Sequence, residues 1–540
     1  MKRWLWVWGS LAALWVPILL PPFPATARPT YIPSERIPTN SPVYRDLERL
    51  AETFGRTPRF LSMRPLRVAE AEAFLEALVS EYPDAESDPA YLRARRELDP
   101  DWRDSTRPLL YRTEGEEMLS VSPYVSVRYE EDPRNRPDVN RDYRLGARLA
   151  AAPDSSAVFV LDAYAGTASQ GGRGTPNFGT GNALIEGVDV NTWMEEAYLE
   201  FRAGSVRVLA GHTWLRWGPG REGTLALSDA APALDLARAE VGLFRAWRLQ
   251  WFVSILDPGA QTYLAGHRVE WSPSPRFTAG VTELARFDGT SQAPLYLIPL
   301  VPYSFWEKRP KTSTVGAIPG DTTGLALTKN NVLMSADVSW VPRPGWRLWG
   351  ELMVDDISFS RDYKPDMVGY QAGIETRRRV GGAGGGADEA DRGSGHMLNA
   401  SIEYTRVNNF TYSVWHKHDF DSQGFPIGFV LGPDVASLAS EIAYEHSAAW
   451  ELRVRGEWRK KGEGRIGDFY DKVAGGTVDA AAFQGVVERE TRAGGTLIYT
   501  PKRWLRVEGT VGASEMKNRG HLPGGPDREA PFRVAAILVW

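Results

Sequence analysis

Cysteine is absent from the 540-residue chain. That excludes disulfides, thiolate metal sites and a lipidated cysteine, and it is compatible with export without requiring it. Long apolar runs are equally scarce. Beyond Leu20 no stretch stays apolar for the roughly 20 residues that a membrane helix needs. If the chain lies in a membrane it must cross as a closed barrel, because open sheet edges are not tolerated in lipid. There is no excess of positive charge: 63 basic and 68 acidic residues give a formal net charge of -5. Nucleic acid, which needs a basic face, is not an expected partner. Only 7 histidines occur. No H-E-x-x-H, no G-x-S-x-G and no nucleophile–base pair is found, so no catalytic residue, metal or cofactor is expected, and the chain reads as a non-enzyme.

The N-terminus has the build of a secretory signal. Lys2 and Arg3 precede an apolar run from Trp4 to Leu20, and Ala25-Thr26-Ala27 matches a cleavage site. Residues 1–27 are therefore expected to be removed, leaving Arg28 as the first mature residue. Tryptophan is plentiful, 20 residues within an aromatic content of 11%. This suits a protein with two membrane interfaces, and equally a carbohydrate-binding or merely Trp-rich soluble one.

Helical spacing comes first. Ser41-Pro42 is a start signal, Val43, Leu47, Leu50 and Phe54 share a face, and Gly55 is a stop. A second helix fits 67–82 and a third fits 89–98. Residues 28–115 read as a small periplasmic helical bundle whose apolar faces need a partner, such as a barrel end. From about residue 118 the period becomes two. Trp450, Leu452, Val454 and Trp458 alternate with Glu451, Arg453, Arg455, Glu457 and Arg459, and Leu505, Val507 and Val511 alternate with Arg506, Glu508 and Thr510. One apolar face and one charged face on strands of about ten residues is the signature of a transmembrane barrel. Tight turns near 153–154, 204–205, 273–275, 342–344, 447–448 and 501–502 alternate with long connections, as periplasmic turns alternate with extracellular loops. The Gly-rich run 381–386 reads as a flexible loop. Phe532 to Trp540 forms a last strand that stops on an aromatic residue. The fold class expected over residues 116–540 is thus an antiparallel outer-membrane β-barrel. The strand count is 18 or 19, and strict up-and-down parity fails once between Asp355 and Phe420; an even number, about 18, is preferred.

Four segments resemble the capsule-assembly Wzi family of outer-membrane proteins. They are Trp217-Gly218-Pro219-Gly220-Arg221-Glu222 with its continuation to Pro232; Pro299 to Glu307, containing Pro302-Tyr303 and Phe305-Trp306; Asn331 followed by a strand pair ending Glu351-Leu352-Met353-Val354-Asp355-Asp356; and Glu403-Tyr404-Thr405 followed by Tyr412, Gly424, Gly428 and Gly432-Pro433-Asp434. Near Ala230 the family usually has Asn, and this chain has Asp229-Ala230. The resemblance implies an 18-stranded barrel plugged by its loops, acting as a lectin that binds capsular or extracellular polysaccharide and holds or assembles it at the cell surface. It also implies outer-membrane lipid and lipopolysaccharide as surroundings. The assembly machinery of such barrels would read the terminal strand at Trp540.

Candidate ligand-binding residues follow. Trp214, Trp217, Tyr303 and Trp306 lie in long connections beside prolines and glycines, where aromatic faces can stack on sugar rings. Arg216, Arg221 and Glu222 would take hydroxyls, and the arginines would favour an acidic capsule. Asp355 and Asp356 end a strand and are candidates for a hydroxyl or a cation. The competing reading makes the aromatics plug or belt packing and the aspartates partners of lumenal Arg. His416 and His418 with Asp419 are too few ligands for a metal site, and Gly218-x-Gly220-x-x-Gly223 lacks the βαβ context of a dinucleotide loop. A porin-like channel for small solutes is the alternative function and predicts conductance; the anchor predicts a blocked lumen.

Overall fold

The computed structural model describes residues 31–539 apart from 100–109, 115–116, 132–139, 169–181, 184–190, 289–295, 299–300, 305–329, 357–364, 381–395, 415–417, 469–478 and 503. The signal segment, Trp306, His416 and Trp540 lie outside the described residues.

The strand stretches close on themselves. In chain order they are β1 (Glu117–Glu131), β2 (Asn140–Asp154), β3 (Ala157–Ala168), β4 (Asn191–Ala203), β5 (Val206–Thr213), β6 (Leu234–Leu243), β7 (Trp247–Asp257), β8 (Thr262–Ser274) and β9 (Phe277–Asp288). There follow β10 (Asn330–Arg343), β11 (Trp346–Asp356), β12 (Met367–Val380), β13 (His396–Val407), β14 (Val435–Glu445), β15 (Trp450–Lys461), β16 (Glu488–Lys502), β17 (Leu505–Lys517) and β18 (Phe532–Val539). Among the described residues these make a closed, wholly antiparallel barrel of 18 strands. The seam joins the last strand to the first, Phe532 opposite Glu131 and Leu538 opposite Val125.

The wall is the inverse of a soluble sandwich. Leu145, Val281, Met334, Leu352, Ile402, Ile442, Val454 and Val511 are exposed on the outside. Their strand neighbours Arg148, Arg268, Glu270, Asp337, Glu351, Arg377, Glu403 and Glu451 are buried on the inside. A period of two sends successive side chains to opposite faces, so each strand offers apolar surface to lipid and charge to the lumen. At the tight-turn end Trp247 stacks on Trp271 with ring centroids 5.6 Å apart, and Trp450 on Tyr499 at 4.0 Å. Such rings form the interfacial belt of a membrane protein.

The expected parity failure resolves into two strands. β12 and β13 are joined by residues 381–395 at the tight-turn end. A long Gly-rich connection stands where a short turn is the norm, which is why the alternation of short and long connections breaks there.

Among the described residues three α-helices precede the barrel: α1 (Val43–Phe54), α2 (Val68–Glu81) and α3 (Pro89–Leu98). The Ser41 hydroxyl accepts from Val43 N at 3.3 Å, and Gly55 closes α1 in the left-handed region at φ 67°. Asp88 caps α3 by accepting from Ala90 N at 2.8 Å. The helices dock at the tight-turn end, where Thr57 N donates to Pro275 O at 2.6 Å and Arg59 to Arg245 O at 2.7 Å. Their charges reach the inner wall. Arg36 binds Glu200 at 2.7 Å and Glu240 at 3.2 Å, Arg49 binds Glu451 at 2.6 Å, and Asp88 takes Arg377 at 2.8 Å while Arg377 also holds Glu445 at 3.1 Å. Leu47, Leu50, Met63, Leu75 and Leu78 join Trp217, Leu225, Leu227 and Phe252 in one buried apolar cluster. The apolar helix faces thus find their partner inside the barrel.

Candidate functional site

From the opposite end two long connections fold into the lumen: residues 214–233, between β5 and β6, and residues 408–414 and 418–434, between β13 and β14. Wall carboxylates hold the first. Glu403 accepts from Arg221 N at 2.7 Å, Glu222 N at 3.0 Å, Trp349 Nε1 at 2.6 Å and Gln371 Nε2 at 2.9 Å. Glu351 accepts from Leu225 N at 3.0 Å and Ala226 N at 3.2 Å. These oxygens satisfy loop N–H groups that have no strand partner, so buried loop backbone is not left orphaned. Gly218 (φ 128°) and Gly223 (φ 146°) take left-handed-side conformations that other residues resist. Tyr412 ties the two loops together: its hydroxyl donates to Leu225 O at 2.6 Å and accepts from Phe429 N at 3.1 Å. The first loop also meets the N-terminal segment, Met63 and Arg64 pairing with Trp217 and Arg216.

Between these loops and the wall strands β1 to β4 lies a cavity of about 610 Å³. Trp193, Tyr164, Trp214 and Phe425 supply rings, and charged groups of both signs lie between them. Its volume is in the range of small-ligand sites, and rings beside a few placed polar groups are the usual lining of one.

The structure gathers some of the sequence-derived candidates here and sends others elsewhere. Trp214, Arg216 and Glu222 line the cavity. Trp214 Nε1 donates to Ala231 O at 3.2 Å, and Arg216 pairs with Asp229 at 3.3 Å. Glu222 pairs with Arg455 at 2.5 Å. Burial on its own would raise the Glu222 carboxyl, but the Arg455 guanidinium outweighs it and holds the group below the usual carboxylate range. Arg221 turns away from the cavity to bridge Glu375 at 2.6 Å and Glu441 at 3.0 Å. Trp217 is fully buried beneath it, with its indole donating to Gln250 Oε1 at 3.0 Å and its ring 5.3 Å from Phe252. Asp355 accepts from Tyr412 N at 2.7 Å. Asp356 is the last residue of β11, opposite Met367. His418 pairs with Asp288 at 2.8 Å.

Tyr303 goes to the other side of the wall. Its backbone N donates to Glu283 at 2.7 Å, its hydroxyl to Tyr296 O at 3.1 Å, and its ring sits 4.3 Å from that of His267. Glu283 shares a face of β9 with exposed Val281, while Thr282 points inward to Arg268. A segment with Leu297 and Ile298 exposed therefore lies over the outer wall and covers the Glu283–His267 pair.

Sequence reasoning missed Trp193, Glu195, Arg144 and Tyr164. The register of β3 on β4 slips between Asp162 and Ala163, opposite Glu195. That bulge turns both Glu195 and Glu196 to the lumen, where they meet Arg144 at 2.5 Å and Arg148 at 3.2 Å. Strict alternation puts one of two adjacent glutamates on the lipid side, and only the pair of adjacent glutamates itself signals the exception.

No family model matches the chain, and no curated protein matches it. Solved structures do. Wzi, an outer-membrane protein involved in group 1 capsule assembly in Escherichia coli and a carbohydrate-binding β-barrel, is similar with a TM-score of 0.59 at 14% identity, covering 93% of this chain and 99% of that one. OccD3 of Pseudomonas aeruginosa gives a TM-score of 0.43 at 10% identity over 79% of this chain and 92% of its own. OprD of the same organism gives 0.40 at 8% identity over 78% and 95%. The fold is that of outer-membrane barrels. The likeness to Wzi suggested by the sequence segments is borne out at the level of the fold.

Proposed function

We propose that this protein is an outer-membrane, lectin-like barrel that binds capsular or extracellular polysaccharide and anchors or assembles it at the cell surface. The observation that carries this reading is the cavity of about 610 Å³ at the long-loop end, where ring faces stand beside hydrogen-bonding groups. Helices and inserted loops pack the lumen beneath it, a build suited to holding a chain rather than conducting solutes. The structure of Wzi, a carbohydrate-binding barrel involved in capsule assembly, adds support. In this reading the protein is no enzyme and needs no cofactor. Residues 1–27 are removed on export, residues 28–115 form the periplasmic-end bundle, and 116–540 the barrel. Lipid and lipopolysaccharide surround the wall, and the terminal strand is read by the assembly machinery.

The test is the partition of surface polysaccharide between cells and medium in a deletion strain and its parent. Polysaccharide that is still made but shed supports the anchor. Unchanged retention together with single-channel conductance of the purified protein in planar bilayers overturns it in favour of a porin.

A further inference from the structure

Arg128, Arg144 and Arg216 line the cavity together with Glu195, Glu222 and Asp229. There are three charges of each sign, and most of them are already paired. Arg144 lies 2.5 Å from Glu195, Arg216 lies 3.3 Å from Asp229, and Glu222 is held at 2.5 Å by Arg455. A ligand carboxylate seeking Arg144 or Arg216 must displace a resident carboxylate and leave that one desolvated without its partner, which is costly.

Uncharged recognition is what remains. Trp193, Trp214 and Phe425 contribute ring faces, whereas one face of Tyr164 is already covered by the Arg144 guanidinium at 4.5 Å. Ring faces beside charges that are already paired match the C–H faces and hydroxyls of neutral sugars.

We infer that the cavity selects an uncharged stretch of polysaccharide over a uronate-bearing or otherwise acidic one. This rests on the polysaccharide reading given above and reverses the preference for an acidic capsule that the arginines suggest in the sequence.

The test uses the purified full-length protein in detergent and isothermal titration calorimetry. The probes are neutral gluco-, galacto- and manno-hexasaccharides and the matching glucuronate, galacturonate and mannuronate hexamers, at low and high salt. The expected result is that a neutral hexamer binds about tenfold or more tightly than its acidic match, with affinity unchanged by salt. Asp229→Asn, which strips Arg216 of its counter-charge, is expected to raise affinity for the acidic match by about tenfold. Glu195→Gln, which takes from Arg144 the carboxylate it pairs with, serves if the first variant fails to give a heat-modifiable band. Tighter, salt-sensitive binding of an acidic hexamer overturns the selectivity and leaves the polysaccharide reading standing. If no hexamer of either kind binds, the cavity is not the site; if capsule retention is also unchanged in the deletion strain, the polysaccharide reading falls with it.

Discussion

The two ends of the lumen use one residue chemistry in two ways. At the tight-turn end, arginines and carboxylates from helix and wall lock onto each other and leave a cavity of only about 30 Å³: Arg377, Asp88, Glu445, Arg49 and Glu451 form a continuous buried set. At the long-loop end, Arg144 with Glu195 and Arg216 with Asp229 also pair, but they border open volume and rings. The same pairing that fastens the protein to itself at one end leaves a neutral surface for something else at the other. The lesson is that charge content says little about a ligand until each charge is assigned its partner.

Mutations at the two ends should separate these roles. The largest effect belongs to the helix end. Arg377→Ala leaves Asp88 buried without its cation and takes one of three arginines from Glu445, and it is expected to cost about 3–5 kcal/mol, read as a fall in the temperature at which the folded band is lost on heat-modifiability gels. Equal stability of variant and parent would mean that the Asp88–Arg377 pair does not help hold the helices. At the loop end, Trp214→Ala is expected to leave that temperature nearly unchanged while weakening glycan binding by about 1 kcal/mol, the size of one aromatic contact. A large stability loss here would collapse the distinction between the two ends.

The smallest effect is a matter of pH. Burial pushes the Glu72 carboxyl on α2 up to about 7, with the nearby Asp99 adding to the shift. The folded protein then holds a proton that the unfolded chain releases near 4.5, so stability is fullest below that pH and declines as pH rises towards 7. Glu72→Gln should flatten this stretch of the stability curve. Glu70, two residues earlier on α2, runs the other way: burial opposes its ionisation, but Arg248 overcomes it and holds the group at about 2. Its contribution is present above 4.5 and fades as pH falls towards 2, so denaturation by acid should persist in the Glu72→Gln variant.

Much of the wall was legible because lipid imposes one rule on every strand. Trp450, Leu452 and Val454 face outward, and Glu451 inward, as alternation requires. The helices were legible through local punctuation at Ser41, Pro42, Gly55 and Pro89. The lumen was not. Whether Arg221 faces a ligand or bridges Glu375 and Glu441 depends on residues far along the chain that no local pattern links. Tyr303 and Trp217 illustrate the same limit: both are aromatic loop residues beside proline or glycine, yet one caps the outer wall and the other lies fully buried inside. The bulge at Glu195 marks a third, since one extra residue reverses the faces of all that follow on that strand.

The seam between β18 and β1 has a consequence for the order of events during biogenesis. The helices come before β1 in the chain and end up enclosed by a wall that is completed only when Phe532 meets Glu131. Closure is the most non-local contact in the molecule, and such contacts form late. The helical segment is therefore expected to be captured while the sheet is still an open trough. A chain cut before β18 would keep its helices accessible to protease from the flank, and the intact chain would lose that access in a single irreversible-looking step when the cylinder shuts.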